Sequence, residues 1–237
     1  MKKYILFFIS FTLFVSTGFS QTAAEKYSQA MNAFNNKHYV EANKLFEEFF
    51  AEYKLMDELN ATAKYYSAES MLNIGENEAA ASNFEYLIDN FKWTNFRDKS
   101  LYKLGLIYFD LNRYSDSRNT FIKLLDEYPN SEHAGSSMYW VGESFTKEGK
   151  PEEAISFLED AVKKGKNNKY IDYSIYTLAS LYEKTGDYQN AVKYYDQLLS
   201  YYKDSPLAPS AQIRIGICYF KLKDYQSSIL ELNNPQL

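Results

Sequence analysis

The amino-acid sequence predicts an all-α chain, a solenoid of about six helix hairpins, on three observations: a residue pattern that returns every 37 positions, a scarcity of turn-forming residues, and a large aromatic content. A small residue recurs at Ala30, Ala68, Gly105, Gly142, Ala179 and Gly216, at steps of 38, 37, 37, 37 and 37. Self-similarity at such a period marks stacked supersecondary units, each burying its apolar face on its neighbours. Only 9 Gly and 5 Pro stand among 237 residues, too few for many strand turns, while 46% hydrophobic and 18% aromatic residues can fill a continuous core.

The first element precedes the repeats. Lys2 and Lys3 lead an apolar stretch from Tyr4 to Val15, followed by the small residues Gly18 and Ser20. This is the order of a secretory signal peptide over residues 1–20, cut between Ser20 and Gln21. The apolar run is shorter than the roughly 20 residues that span a bilayer, so no stable membrane anchor is expected. A lipid anchor would need a cysteine at the cut, and Cys218 is the single cysteine.

The repeats follow over 21–237, at about 22–54, 58–92, 95–129, 131–166, 168–203 and 205–232. Twelve residues after each first small position stands a second, Ala42, Ala80, Ser117, Ala154, Ala191 and Ser228. Four further on comes a large residue, Phe46, Phe84, Phe121, Leu158, Tyr195 and Leu232. The two small positions let a pair of helices approach closely, and the large one, a turn away, fills the space around them. Breakers separate the two helices of each repeat: Asn35-Asn36-Lys37-His38, Gly75-Glu76-Asn77, Asn112-Arg113, Gly149-Lys150-Pro151, Gly186-Asp187 and Lys223-Asp224. Pro151 suits a first helical turn, where its missing N–H is not needed. The sixth repeat has a short second helix before Asn233-Asn234-Pro235 and no polar helix after it. The expectation is therefore an N-terminal part of a longer array, or an end covered by another subunit.

Leu104-Gly105, Tyr108, Ser117, Phe121 and Pro129 in the third repeat, echoed by Val141-Gly142 with Phe145, Leu178-Ala179 with Tyr182 and Ile215-Gly216 with Tyr219, resemble the tetratricopeptide-repeat (TPR) family. The resemblance covers residues 22–232 and implies a right-handed superhelical solenoid. The joints Glu127-Tyr128-Pro129-Asn130-Ser131 and Tyr202-Lys203-Asp204-Ser205-Pro206 resemble those of bacterial envelope TPR proteins, of the kinds associated with the Tol–Pal system and with outer-membrane barrel assembly. This chain departs from them in lacking a lipoprotein cysteine and a coiled coil ahead of the repeats. The resemblance implies an exported scaffold in the periplasm, associated with the outer membrane through a partner.

In TPR arrays the first helix of each repeat lines a concave face, and the position three before the small residue points into it. Here that position is Tyr27, Tyr65, Tyr102, Tyr139 and Tyr176, then Ile213. One residue after the small position, Glu69 and Glu143 share that face. A row of tyrosines can grip an extended peptide through ring faces and hydroxyls, or can cement successive repeats. The chain is thus expected to bind a protein or peptide partner, with peptidoglycan as a second candidate because aromatic rings also stack on sugars.

Composition argues against other classes. Removal of two lysines leaves 24 basic against 31 acidic residues, a net charge of −7, which disfavours nucleic acid. Two histidines, His38 in a turn and His133 in a joint, both read as solvated, give no histidine metal site and no serine–histidine–aspartate triad. Glu47-Glu48, Asp126-Glu127 and Glu152-Glu153 read as solvated helix faces or favourable helix starts. No glycine-rich phosphate loop is present. No catalytic residue, metal or cofactor is expected, and Cys218 reads as a small buried hydrophobe. The alternatives are the helical part of a larger cell-wall enzyme, or a glycan-binding module.

Overall fold

The computed structural model describes residues 22–55 and 57–233, so the expected signal peptide and its cut lie outside the described residues. All regular structure among these residues is helical: α1 (22–35), α2 (Tyr39–Glu52), α3 (Asp57–Asn73), α4 (Asn77–Asn90), α5 (Arg97–Asp110), α6 (Tyr114–Glu127), α7 (Ala134–Lys147), α8 (Pro151–Lys163), a 3-10 turn (Gly165–Asn167), α9 (Ile171–Thr185), α10 (Tyr188–Tyr201), α11 (Ala208–Lys221) and α12 (Tyr225–Leu232). The odd-numbered helix of each pair is the first helix of a repeat, and the even-numbered one is the second. The chain divides into two compact units, one ending at Ile107 and one beginning at Tyr108.

Every first helix ends in the same way. Lys37, Gly75, Asn112, Gly149, Gly186 and Lys223, each seven residues past the first small position, have φ between 59° and 86°. The next residue's N–H reaches five residues back to close the motif, as from His38 to the Ala33 carbonyl (2.9 Å) and from Asp187 to the Tyr182 carbonyl (2.8 Å). This is the Schellman ending, which satisfies the last carbonyls of one helix and reverses the chain into the next. Glycine and asparagine enter the left-handed region readily, whereas the two lysines do so at a steric cost. Asp187 and Asp224 then serve as N-caps, accepting from the backbone N–H of Asn190 (3.2 Å) and Ser227 (3.1 Å).

The joints that lead from one repeat to the next use side chains for the same purpose. Asn60 Nδ2 donates to the Tyr53 carbonyl (2.9 Å) and Asn168 Nδ2 to the Ala161 carbonyl (3.2 Å), while the Arg97 guanidinium bonds the Ile88 carbonyl. Each closes an orphan acceptor at the end of a second helix.

Both sets of small positions are buried throughout, and Phe46, Phe84, Phe121, Leu158 and Tyr195 are completely enclosed. The reason for glycine is clearest at Gly142, where an added Cβ would lie 2.5 Å from Leu158 Cγ, and at Gly216, 2.6 Å from Leu232 Cγ. Ser228 serves its small position with a bond as well, donating to the Gly216 carbonyl at 2.8 Å. Leu232 differs from its five counterparts in being 44% exposed, since no described helix follows α12. Cys218 is buried and unpaired, and burial pushes its thiol up to about 12, as befits a packing residue.

Candidate functional site

In each unit the first helices present residues spaced three and four apart on one face, on α1, α3 and most of α5 in the first unit and on α7, α9 and α11 in the second. The expected tyrosine ladder falls on these helices, and its rings take part in packing. Tyr27 meets Phe46 and Phe49 edge-on at 6.1 and 5.6 Å, and burial raises its hydroxyl pKa to about 12. Tyr65 stacks on Phe96 at 4.5 Å, and Tyr139 stacks on Tyr170 at 5.1 Å. Burial pushes both of these hydroxyls upward too, with Glu69 acting on the first and Glu143 on the second. Tyr176 meets Tyr195 edge-on at 5.4 Å. Tyr102 is half-buried on α5. Ile213, in the sixth ladder place, stands open to solvent.

Phe96 and Tyr170 occupy equivalent places, nine residues before the first small position of the following repeat. A ladder tyrosine thus reaches the entry of the next first helix. The 37-residue period could have exposed this, because the same place holds Leu59, Phe96, His133, Tyr170 and Leu207.

A second row, one residue along from the ladder, lies on these helices. The position two before the small residue pairs backward onto the preceding first helix. Phe34 meets Tyr66 (4.9 Å) and Phe109 meets Trp140 (4.8 Å), both edge-on. Glu69 pairs with Lys103 (3.1 Å), Glu143 accepts from Thr177 Oγ1 (2.8 Å), and Glu183 pairs with Arg214 (3.1 Å). The two expected site glutamates therefore lie in joints between successive first helices. Burial raises the Glu143 carboxyl pKa above its ordinary value, opposed by the Thr177 bond and by Lys147.

Two acidic and histidine readings change. Glu47 does not simply solvate a face: its carboxylate accepts from Lys64 Nζ (2.7 and 2.9 Å) and from Ser67 Oγ (2.7 Å). Asn43 and Asn83 complete that network. Lys64 is buried on α3, and charge at a core-facing position must find such partners. His133 has a side chain only 12% exposed at the start of α7, because it fills the joint position just described; His38 is exposed. Among the described residues no group of three or more His, Cys, Asp or Glu could hold a metal, and no helix is long and apolar enough to cross a membrane.

The family model described as tetratricopeptide repeat matches residues 102–169 and 176–234. Among curated proteins none matches the sequence. Solved structures share the fold. A tetratricopeptide repeat protein from Parabacteroides merdae aligns with a TM-score of 0.65 at 13% identity, over 89% of this chain and 77% of that one. PilF of Pseudomonas aeruginosa gives 0.63 at 12%, over 90% and 89%. YrrB, described as a TPR protein with an unusual peptide-binding site, gives 0.61 at 17%, over 79% and 89%.

Proposed function

The chain belongs to the tetratricopeptide-repeat family, and from that premise we propose that it is an exported adaptor which holds a protein or peptide partner on the face built by its first helices. TPR proteins as a family bind protein or peptide partners and are generally not catalytic. The observation that carries the finer reading is the tyrosine row: five of six repeats place tyrosine at one position of the first helix, and Tyr27, Tyr65, Tyr102 and Tyr176 are only half-buried. A rigid ring fixed by its neighbours offers an edge and a hydroxyl at little entropic cost. The peptide-binding site of YrrB is a precedent in this fold. The amino-terminal pattern through Ser20 supports export, and the joint sequences support the bacterial envelope as its setting. The extension to Tol–Pal or outer-membrane assembly rests on those joints alone.

The test is crosslinking capture from cell envelopes with the chain from Gln21 as bait. Tyr139 is only 6% exposed, so its truncation would confuse binding with folding. A better control is Tyr102→Ala with Ile213→Ser, the half-buried and the exposed ladder side chains of α5 and α11. Capture of one envelope protein by the parent, and its loss in a variant that still folds, is the expected result. An identical set captured by both would remove the groove from the reading. Amino-terminal sequencing of the mature protein should begin at Gln21, and retention of residues 1–20 would remove the export.

A further inference from the structure

A row of lysines lies on the first helices of the second unit. Lys147, Lys184 and Lys221, each five residues past the first small position, are exposed in the last turns of α7, α9 and α11. All three helices belong to the unit that begins at Tyr108. Helical spacing puts each lysine on one stripe with the residues four and seven before it, which on α9 are Ser180 and Thr177. These stripes run along the joints between successive first helices. Glu143, on the stripe of α7, accepts from Thr177 on that of α9 at 2.8 Å, and Arg214, on that of α11, pairs with Glu183 at 3.1 Å. The helices therefore touch, and axes packed about 8–10 Å apart set neighbouring lysines at a similar step.

The fold does not ask for this row. A cation in a last turn complements the helix dipole. Yet the same place holds Asn35, Asn73 and Asp110 in the first three repeats, and α3 and α5 run into the same left-handed turn with no basic residue in their last turns. The lysines are not consumed by ion pairs either. Lys150 pairs with Glu148 and Lys163 with Asp160, both at 2.8 Å, but Lys147, Lys184 and Lys221 reach no carboxylate among the described residues. Lys147 acts on Glu143 through its charge without bonding it, and Glu143 and Glu183 are engaged by Thr177 and Arg214. Three positive charges thus stand at a regular step beside a partly apolar floor, where Tyr173 is 41% exposed, Ile213 44% and Phe220 57%. An extended peptide advances about 3.3 Å per residue, so acidic side chains three residues apart would meet successive lysines. A densely charged polymer fits less well, because Glu143 and Glu183 lie among the lysines and the chain as a whole is acidic.

We propose that α7, α9 and α11 hold an extended acidic peptide, with Asp or Glu at every third residue paired to Lys147, Lys184 and Lys221 in turn. This rests on the adaptor reading and adds to it the charge and spacing of the partner segment. Selection of a random phage-displayed dodecapeptide library on the chain from Gln21 tests it. Enriched peptides should carry Asp or Glu at three-residue spacing well above the starting library. Their Kd, read by fluorescence anisotropy of labelled peptide, should rise with salt. It should weaken about ten-fold in the triple variant Lys147→Gln, Lys184→Gln and Lys221→Gln, whose melting should match the parent because all three side chains are exposed. Lys164→Gln with Lys193→Gln and Lys203→Gln removes the same charge from exposed places off the row, and should leave the Kd within about two-fold. Peptides that bind without acidic enrichment, or that bind both triple variants equally well, would overturn the proposal and leave the adaptor reading standing. Displacement by inorganic polyphosphate as readily as by unlabelled peptide would overturn it in favour of a polyanion. Failure to enrich any peptide would overturn both readings.

Discussion

Replacing Gly142 with alanine places a Cβ 2.5 Å from Leu158 Cγ and 2.9 Å from its Cδ2, so one of the two helices, α7 or α8, must give way. Overpacking of this kind costs about 1–3 kcal/mol. Removing a helical glycine returns about 1 kcal/mol, so the single variant should lose up to about 2 kcal/mol. Leu158→Ala empties a completely buried site and should lose about 2–5 kcal/mol. The double variant Gly142→Ala with Leu158→Ala removes the clash and lets the new methyl enter the vacated space. Its loss should fall short of the sum of the singles by about 1–3 kcal/mol. The assay is urea unfolding followed by helical circular dichroism, with hydrogen exchange across α7 and α8 as a local readout, because repeat arrays can open in parts. If the double loss equals the sum of the singles to within about 0.5 kcal/mol, Gly142 and Leu158 do not share a contact that matters and the packing rationale for the period fails.

Three further outcomes follow from the same geometry. Lys37→Gly and Lys223→Gly relieve residues held at φ 63° and 64° and should each gain about 1 kcal/mol, while Gly149→Ala, at φ 75° with open space around it, should lose a similar amount. Urea midpoints decide this, and no change in the lysine variants would refute the steric argument. Glu143 has a folded pKa raised by burial, so its favourable contribution is complete below the ordinary glutamate value and is lost as pH rises through the raised value. Glu143→Gln, which keeps an acceptor for Thr177, should therefore overtake the parent in stability as pH rises through that window, and a gap independent of pH would contradict the assignment. Lys64→Met strands the Glu47 carboxylate and should lose about 2 kcal/mol, less than for a fully buried pair because Glu47 is 39% exposed. Adding Glu47→Gln should restore part of that loss, and thermal melts of the three variants would show whether it does.

The helices were legible in the sequence because their determinants are local and repeated. Each hairpin needs a small residue, a partner small residue twelve later and a large one four beyond, and each turn needs a residue tolerant of positive φ. Lys37 and Lys223 show the limit: their places are fixed by the period, but the conformation they accept is imposed by the hairpins on either side, against their own preference. The ladder was legible as a row of tyrosines and not as an environment. Whether a ring lies open or closed depends on a residue of the next repeat, such as Phe96 for Tyr65 or Tyr170 for Tyr139, 31 positions away. Lys64 was hidden for the same reason. Its burial becomes tolerable only when Glu47, from a different repeat, lies within hydrogen-bond reach.

Constancy and variation divide cleanly over this chain. The positions that set the approach of paired helices, Ala30 through Gly216 and Ala42 through Ser228, hold only Ala, Gly or Ser, and at Gly142 and Gly216 even an added Cβ would meet the opposite helix. The pairs joining successive first helices obey no such restriction. They are aromatic at Phe34–Tyr66 and Phe109–Trp140, ionic at Glu69–Lys103 and Glu183–Arg214, and hydrogen-bonded at Glu143–Thr177. Stacking demands that each joint be filled, but it is indifferent to the chemistry that fills it. The choice at each joint is thus free to answer to something other than folding. Under the proposed adaptor reading, a partner lying along the first helices of either unit would meet a different surface at each joint, and its register within that unit would be specified by those rings and charges. The tyrosines, being nearly the same in every repeat, can supply grip but not register.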